Sequence, residues 1–444
     1  MKTEPTFQTR RDFLRATLLG GAFSWTIPTF LANTLSALQA EAADKATQAV
    51  TGRDGPILVV LQMAGGNDGL NTVVPYTNDY YHRARPRIGL KGEGLLKLND
   101  ELALHPHLTG FKELYDAGRL AIVQGAGYPN PNRSHFRSTE IWQTASDSNR
   151  FERYGWLGRY FDNACAGCDP TVGVSVGRQT PQAFFAKDPM GISLENPQNY
   201  RFLPPRGEGA HEAQMVDESF QKLNQADGDV SANSGGSIGS IHGAGRLSGG
   251  SALDFLERTA LEARVSSDTI REIASRSETQ GVYPASPLGN SLKLTAKLIG
   301  GGLQARVFYL SQGGYDTHTN QVATQNRLLQ DLGDSVRAFV DDMEKQGNLS
   351  RVLVMTFSEF GRRVAENASG GTDHGAAAPL FMIGKKLQAG LLGTFPSLAP
   401  GDLFQGDIRY TVDFRSVYAS VLENWLKTPS VPILGRQFPL LHVV

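Results

Sequence analysis

Cysteine is almost missing: the 444-residue chain has only Cys165 and Cys168. Two thiols cannot complete a four-ligand zinc site by themselves. Their C-x-x-C spacing fits a local disulfide in an oxidising compartment. A redox pair usually opens a helix after a strand, but here Asp169-Pro170 follow at once. Excess charge of either sign is lacking too. The formal net charge is −1, which gives no electrostatic reason to expect nucleic acid or anionic lipid as a partner. Long apolar runs are also absent. The N-terminal stretch Ala16 to Ala32 is broken by Gly20, Gly21 and Pro28, too short and interrupted for a membrane span. No later segment reaches spanning length.

What is present is glycine, 49 residues of it, beside 40% hydrophobic residues, as in a loop-rich α/β protein. Thr9-Arg10-Arg11-Asp12-Phe13-Leu14-Arg15 is a twin-arginine export pattern, and Ala40-Glu41-Ala42 is a small-x-small cleavage site. The expectation is a signal peptide over 1–42, with an uncut anchor as the alternative, and one exported, periplasmic α/β domain over 43–444. A Gly/Ser-rich insertion at 228–250 cannot bury much apolar area and is expected to be flexible.

Four apolar runs read as buried strands: Ile57 to Met63, Leu120 to Val123, Arg306 to Leu310 and Val352 to Phe357. Each leads into a polar, mostly glycine-containing loop. The first carries Asp68 and the second Arg133-Ser134-His135. The third carries Asp316 and His318, the fourth Glu359 and then Asp373-His374. Each has a plain reading. Asp68 and Asp373-His374 can be ordinary turns, Ser134 an N-cap, and Arg133 an exposed loop residue. His105-Pro106-His107 reads as the shaping of a helix start more than as a ligand pair. Together the loops read as one shared site, since ligands bind beyond the carboxyl ends of parallel strands. An adjacent carboxylate and imidazole suit Zn²⁺ or Mn²⁺ better than Ca²⁺. Asp316 and His318 are two apart and would face one ion from an extended segment.

An Asp-Gly after the first strand, a Ser opening a helix, a later Asp and His, and then Asp-His-Gly resemble the order in the alkaline-phosphatase-like superfamily of phosphatases, phosphodiesterases and sulfatases. The twin-arginine signal, Gly-Gly-Asn-Asp-Gly-Leu-Asn, Asp-Thr-His and Ser-Glu-Phe-Gly-Arg look like an exported bacterial family known only as a domain of unknown function. The resemblance implies a mostly parallel central sheet flanked by helices. It implies one divalent ion on Asp68, Asp373, His374 and Ser134, and another on Asp316 and His318. Ser134 would be the nucleophile, with Arg133 bracing the anion of a small-molecule or glycan ester. The late His usual in the superfamily is missing, since only His442 remains; Glu359 or His135 could stand in. The superfamily's sulfatase cysteine signature is absent. Two functions follow: an exported metal-dependent hydrolase of phosphate or sulfate esters, or a degenerate relative that binds or assembles partners in the cell envelope. A third, redox work through the two cysteines, is weaker.

Overall fold

Ile57–Met63 forms strand β1, whose residues are all buried. Its alternate side chains divide between two apolar layers. Ile57, Val59, Leu61 and Met63 join one layer, while Leu58 and Val60 join the other. A strand covered on both faces reads as a continuous apolar run for this reason.

The computed structural model describes residues 55–92, 94–165, 168–187, 191–197 and 268–444. The expected signal peptide and the 228–250 insertion lie outside them. Three two-residue strands, β2 (Val73–Val74), β3 (Leu96–Lys97) and β4 (Ala103–Leu104), form a small antiparallel sheet. The main sheet adds to β1 the strands β5 (Leu120–Gly127), β6 (Gly173–Val176), β7 (Ile192–Leu194), β8 (Val307–Gln312), β9 (Val352–Phe357), β10 (Ala378–Gly384), β11 (Gly390–Leu392) and β12 (Val412–Asp413). Their order is β11-β5-β10-β9-β1-β8-β6-β7, with β12 also on β5.

Helices cover both faces. Helices α1 (Thr109–Asp116), α4 (Pro287–Gly300) and α5 (Gln321–Lys345) supply Phe111, Leu292 and Phe339 to the first layer. Helices α2 (His135–Thr144), α3 (Trp156–Ala164) and α6 (Phe414–Ser420) supply Trp142, Trp156 and Tyr418 to the second. The sheet is therefore a mixed one between helices, mostly parallel. Among the described strands of the main sheet, the antiparallel pairings are those of β10 with β5 and β9. That exception matters. Strands β1, β5, β8 and β9 run the same way, so their C-termini share one edge. Because β10 runs against them, its N-terminus lies at that edge, and Asp373-His374 just before it arrives there too.

Cys165 and Cys168, expected as a local disulfide, are separate thiols. Cys165 closes α3, donating its N–H to Phe161, and packs in the second apolar layer. A hydrogen bond to Cys168 and burial hold its thiol protonated, well above the usual range. His105 is buried before α1, and its Nδ1 accepts the His107 N–H at 3.1 Å. Burial, reinforced by His107, pushes its pKa down to about 4, as for a neutral imidazole shaping a helix start. No helix among the described residues is long and apolar enough to cross a membrane.

Candidate metal centre

The loop after β1 turns through Gly65 and Gly66, at φ 119° and 81°. Only glycine holds such angles without strain. Space demands it as well, since a Cβ on Gly65 would sit 2.5 Å from the Asp316 backbone nitrogen. The β1 and β8 loops are therefore in direct backbone contact.

Arg362, after β9, fastens these loops together. Its side chain is wholly buried. Nε donates to the Gly66 carbonyl (2.7 Å) and Nη1 to that of Thr372 (2.8 Å). Nη2 donates to the carbonyls of Gly65 (2.5 Å) and Tyr315 (3.0 Å), and to Asp316 Oδ1 (2.7 Å). One guanidinium thus joins the β1 loop, the β8 loop and the segment before β10. Although burial opposes it, the Arg362 hydrogen bond, the His374 contact and the Arg362 charge pull the Asp316 carboxyl down to about 2.

Three imidazoles surround Asp316. His374 Nδ1 faces the Arg133 carbonyl at 2.8 Å. A carbonyl oxygen only accepts, so Nδ1 carries the proton and neutral His374 keeps its lone pair on Nε2. His318 Nδ1 faces Asp373 Oδ1 at 3.1 Å. The Asp373 carboxyl is held below its ordinary pKa, first by the Asn367 amide and then by His318, so this oxygen is an acceptor. His135 Nδ1 faces Glu359 Oε1 at 3.0 Å. Each ring therefore spends Nδ1 on an outer acceptor and aims Nε2 inward.

The Nε2 atoms stand close to Asp316, His135 at 3.4 Å from Oδ2, His318 and His374 at 3.1 and 3.2 Å from Oδ1. The His318 and His374 Nε2 atoms are 2.9 Å apart. Ligand atoms of His135, Asp316 and His374 all lie within 4.8 Å of one another. Lone pairs crowded around a carboxylate repel unless a cation sits among them. Donors 3 to 3.4 Å apart also match an ion roughly 2 Å from each. Metal-bound histidines characteristically give their other N–H to a carboxylate or carbonyl, and all three do so here. His135, Asp316 and His374 converge closely enough to fit a divalent ion, and His318 stands beside His374 and Asp316. Burial lowers the His374 pKa more than its hydrogen bonds raise it, favouring the neutral form that binds metal.

The structure brings together Asp316, His318, Asp373, His374 and Glu359. Glu359 is buried and its Oε1 also accepts the Gly65 N–H at 2.7 Å, so Glu359 and Asp373 orient imidazoles. Ser134 is exposed at the N-cap of α2 and makes no capping hydrogen bond with its side chain. Its chain neighbours both serve the centre, His135 through its ring and Arg133 through its carbonyl. The Arg133 side chain turns to Asp407 instead (2.5 Å). Asp68 is also turned elsewhere, buried against Arg85 at 2.7 Å, and His442 is exposed near the C-terminus. The sequence marks His135 only as a stand-in ligand and Arg362 only as the end of Ser-Glu-Phe-Gly-Arg. The signal for His135 was its place directly after the helix-opening Ser.

The sequence family described as "Protein of unknown function (DUF1501)" matches residues 56–429. No curated protein matches the chain. Similar solved structures include a protein in the alkaline phosphatase superfamily from Vibrio parahaemolyticus, 11% identical over 93% of this chain and 78% of that one, with a TM-score of 0.35. Alkaline phosphatase from the Antarctic bacterium TAB5 is 11% identical over 74% and 92%, at 0.32. The PsFucS1 sulfatase from Pseudoalteromonas sp. is 8% identical over 92% and 72%, also at 0.32. Likeness this distant carries no argument about activity.

Proposed function

The chain belongs to the DUF1501 family, and from its site we propose that it is an exported metal-dependent hydrolase of phosphate or sulfate esters. The observation that supports this is the convergence of three Nε2 atoms on Asp316, each ring oriented through its Nδ1. His135, Asp316, His318 and His374 would hold a divalent ion, with Zn²⁺ or Mn²⁺ matching the donors. When bound, such an ion neutralises an anionic ester and lowers the pKa of a nearby hydroxyl.

The chain's own groups supply the rest. Ser134 lies at the N-terminus of ten-residue α2, where backbone N–H groups and the helix dipole favour an anion. Its Oγ attacks phosphorus or sulfur and gives its proton to solvent. The ester oxygen leaves with the bonding pair and is protonated, and water then cleaves the Ser134 ester to restore the hydroxyl. Arg362 and Glu359 keep Asp316 and His135 in place throughout. The twin-arginine pattern at residues 9–15 supports export, and the substrate would then be a small-molecule or glycan ester outside the cytoplasm.

Purified protein loaded with Zn²⁺ or Mn²⁺ should turn over an aryl phosphate, phosphodiester or sulfate and stop when a chelator strips the ion. One observation favours the second reading, a binding or assembly protein. Asp68, expected as a ligand from the resemblance, is neutralised by Arg85. Stoichiometric metal with no turnover of any of the three esters would favour that reading.

A further inference from the structure

Resting on the metal reading above, we infer that the centre holds one divalent ion and that Asp68 is not a ligand but half of an internal ion pair that aligns the ligand loops. The Asp68 side chain is 1% exposed and that of Arg85 0%. Asp68 Oδ2 receives Arg85 Nη1 at 2.7 Å and Gln321 Nε2 at 2.5 Å. Arg85 cannot easily be displaced. Nη1 also donates to Asn71 Oδ1 (2.7 Å), Nε to the Val364 carbonyl (2.8 Å) and Nη2 to that of Arg363 (2.8 Å). An ion arriving at Asp68 would strand this guanidinium, and an uncompensated buried charge is strongly destabilising. The guanidinium already supplies the positive charge that a second ion would bring.

Asp68 Oδ1 is buried with no partner, so that oxygen's lone pairs remain available. One oxygen does not make a site, however. Among the described residues, the group of three or more ligands that converges is His135, Asp316 and His374, without Asp68. Gln321 then shows what Asp68 does. Its Oε1 accepts the hydroxyls of Thr317 at 3.1 Å and Thr372 at 2.6 Å. Thr317 stands between Asp316 and His318, and Thr372 directly precedes Asp373-His374. The chain from Arg85 through Asp68 and Gln321 therefore sets the spacing of the two loops that carry most of the ligands.

The test is metal counting on the full chain. Metal-free protein is titrated with Zn²⁺ and the bound ions are counted by native mass spectrometry and elemental analysis. One ion per chain is expected, in wild type and in Asp68→Asn alike. The double variant Asp68→Asn with Arg85→Met removes both charges together and guards against misfolding of the single variant; it should also hold one ion. Gln321→Leu leaves the ion pair intact but cuts the link, so the visible spectrum of the Co²⁺-loaded protein should shift while occupancy stays at one. Two ions in wild type, with one lost in the Asp68 variants, overturns the inference but leaves the metal reading standing. A folded Asp68 variant that binds no ion makes Asp68 a ligand and also overturns it. An unchanged Co²⁺ spectrum in Gln321→Leu overturns the alignment role. Wild type that binds no ion at all sinks the metal reading itself.

Discussion

Replacing Arg362 by Met keeps an unbranched apolar stem and removes the guanidinium. Five hydrogen bonds disappear, four to backbone carbonyls and one to Asp316. A net contribution of about 1 kcal/mol for each bond sums to about 5 kcal/mol. The ion pair itself adds little, because the Asp316 side chain is 47% exposed and its charge is screened by solvent. A loss of about 5 kcal/mol is therefore expected. At about 2.1 cal/mol/K of unfolding entropy per residue, a chain of this length loses about 1 °C of Tm per kcal/mol, so the melt should fall by about 5 °C.

A local effect should accompany the global one. Asp316 Oδ1 loses its anchor, and the β1 loop is no longer tied to the segment before β10. Loss of such outer contacts typically weakens metal binding about 10–100-fold. Arg362→Lys should rescue little, because one ammonium cannot reach acceptors fanned around a planar guanidinium. Thermal melts followed by circular dichroism read the first effect and Zn²⁺ titration of the folded variant reads the second. A Tm within about 1 °C of wild type, together with unchanged Zn²⁺ affinity, would refute the role of Arg362 as the joint between loops; the bound of about 1 °C is about 1 kcal/mol by the same conversion.

His374→Ala removes an inward Nε2 donor, so metal affinity should fall at least about 10–100-fold; full occupancy by elemental analysis removes His374 from the ligand set. Ser134→Ala deletes one exposed hydroxyl, so metal content should persist while ester turnover disappears. Normal turnover there would hand the nucleophile's role to another group. Gly65→Ala puts a methyl into the Asp316 backbone at a φ of 119°. It should lower stability by more than about 1 kcal/mol, and an unshifted denaturation midpoint would contradict the close loop contact.

The strands that position the site were legible because burial on both faces writes a continuous apolar run. The direction of β10 was not. An apolar run has no polarity of its own, and β10 is antiparallel through its register with β5 and β9. Read as another parallel strand, β10 would start at the opposite edge and carry Asp373-His374 away from the site; its antiparallel direction is what delivers them. The role of Asp68 was hidden for a different reason. A carboxylate in a glycine loop looks the same whether it faces a ligand or the interior. What decides is Arg85, brought close by the short helix Asp79–Ala84 and fixed by the carbonyls of Arg363 and Val364. Contacts separated by some 280 residues leave no local pattern.

Ser358 to Arg362 shows how far a short motif can be read. Its glycine and polar residues mark a turn after β9, and that much was legible. The fold then gives each residue a separate joint. Ser358 Oγ donates to the Met63 carbonyl at 2.7 Å and accepts the Asn67 N–H at 2.8 Å. Glu359 bridges Gly65 and His135. The Phe360 ring lies 4.9 Å from that of His135 and 4.5 Å from that of His374, walling the imidazoles on one side. Gly361 donates to the Ala376 carbonyl, and a Cβ there would meet the Ala377 carbonyl oxygen at 2.0 Å. Arg362 closes the set. None of the five is needed to make a turn of this kind, since many sequences turn without them. All five are needed if the turn must hold three loops in fixed register around Asp316. Five joints within one short segment fix these loops in register, and what they hold in place is the cluster of inward-facing imidazoles.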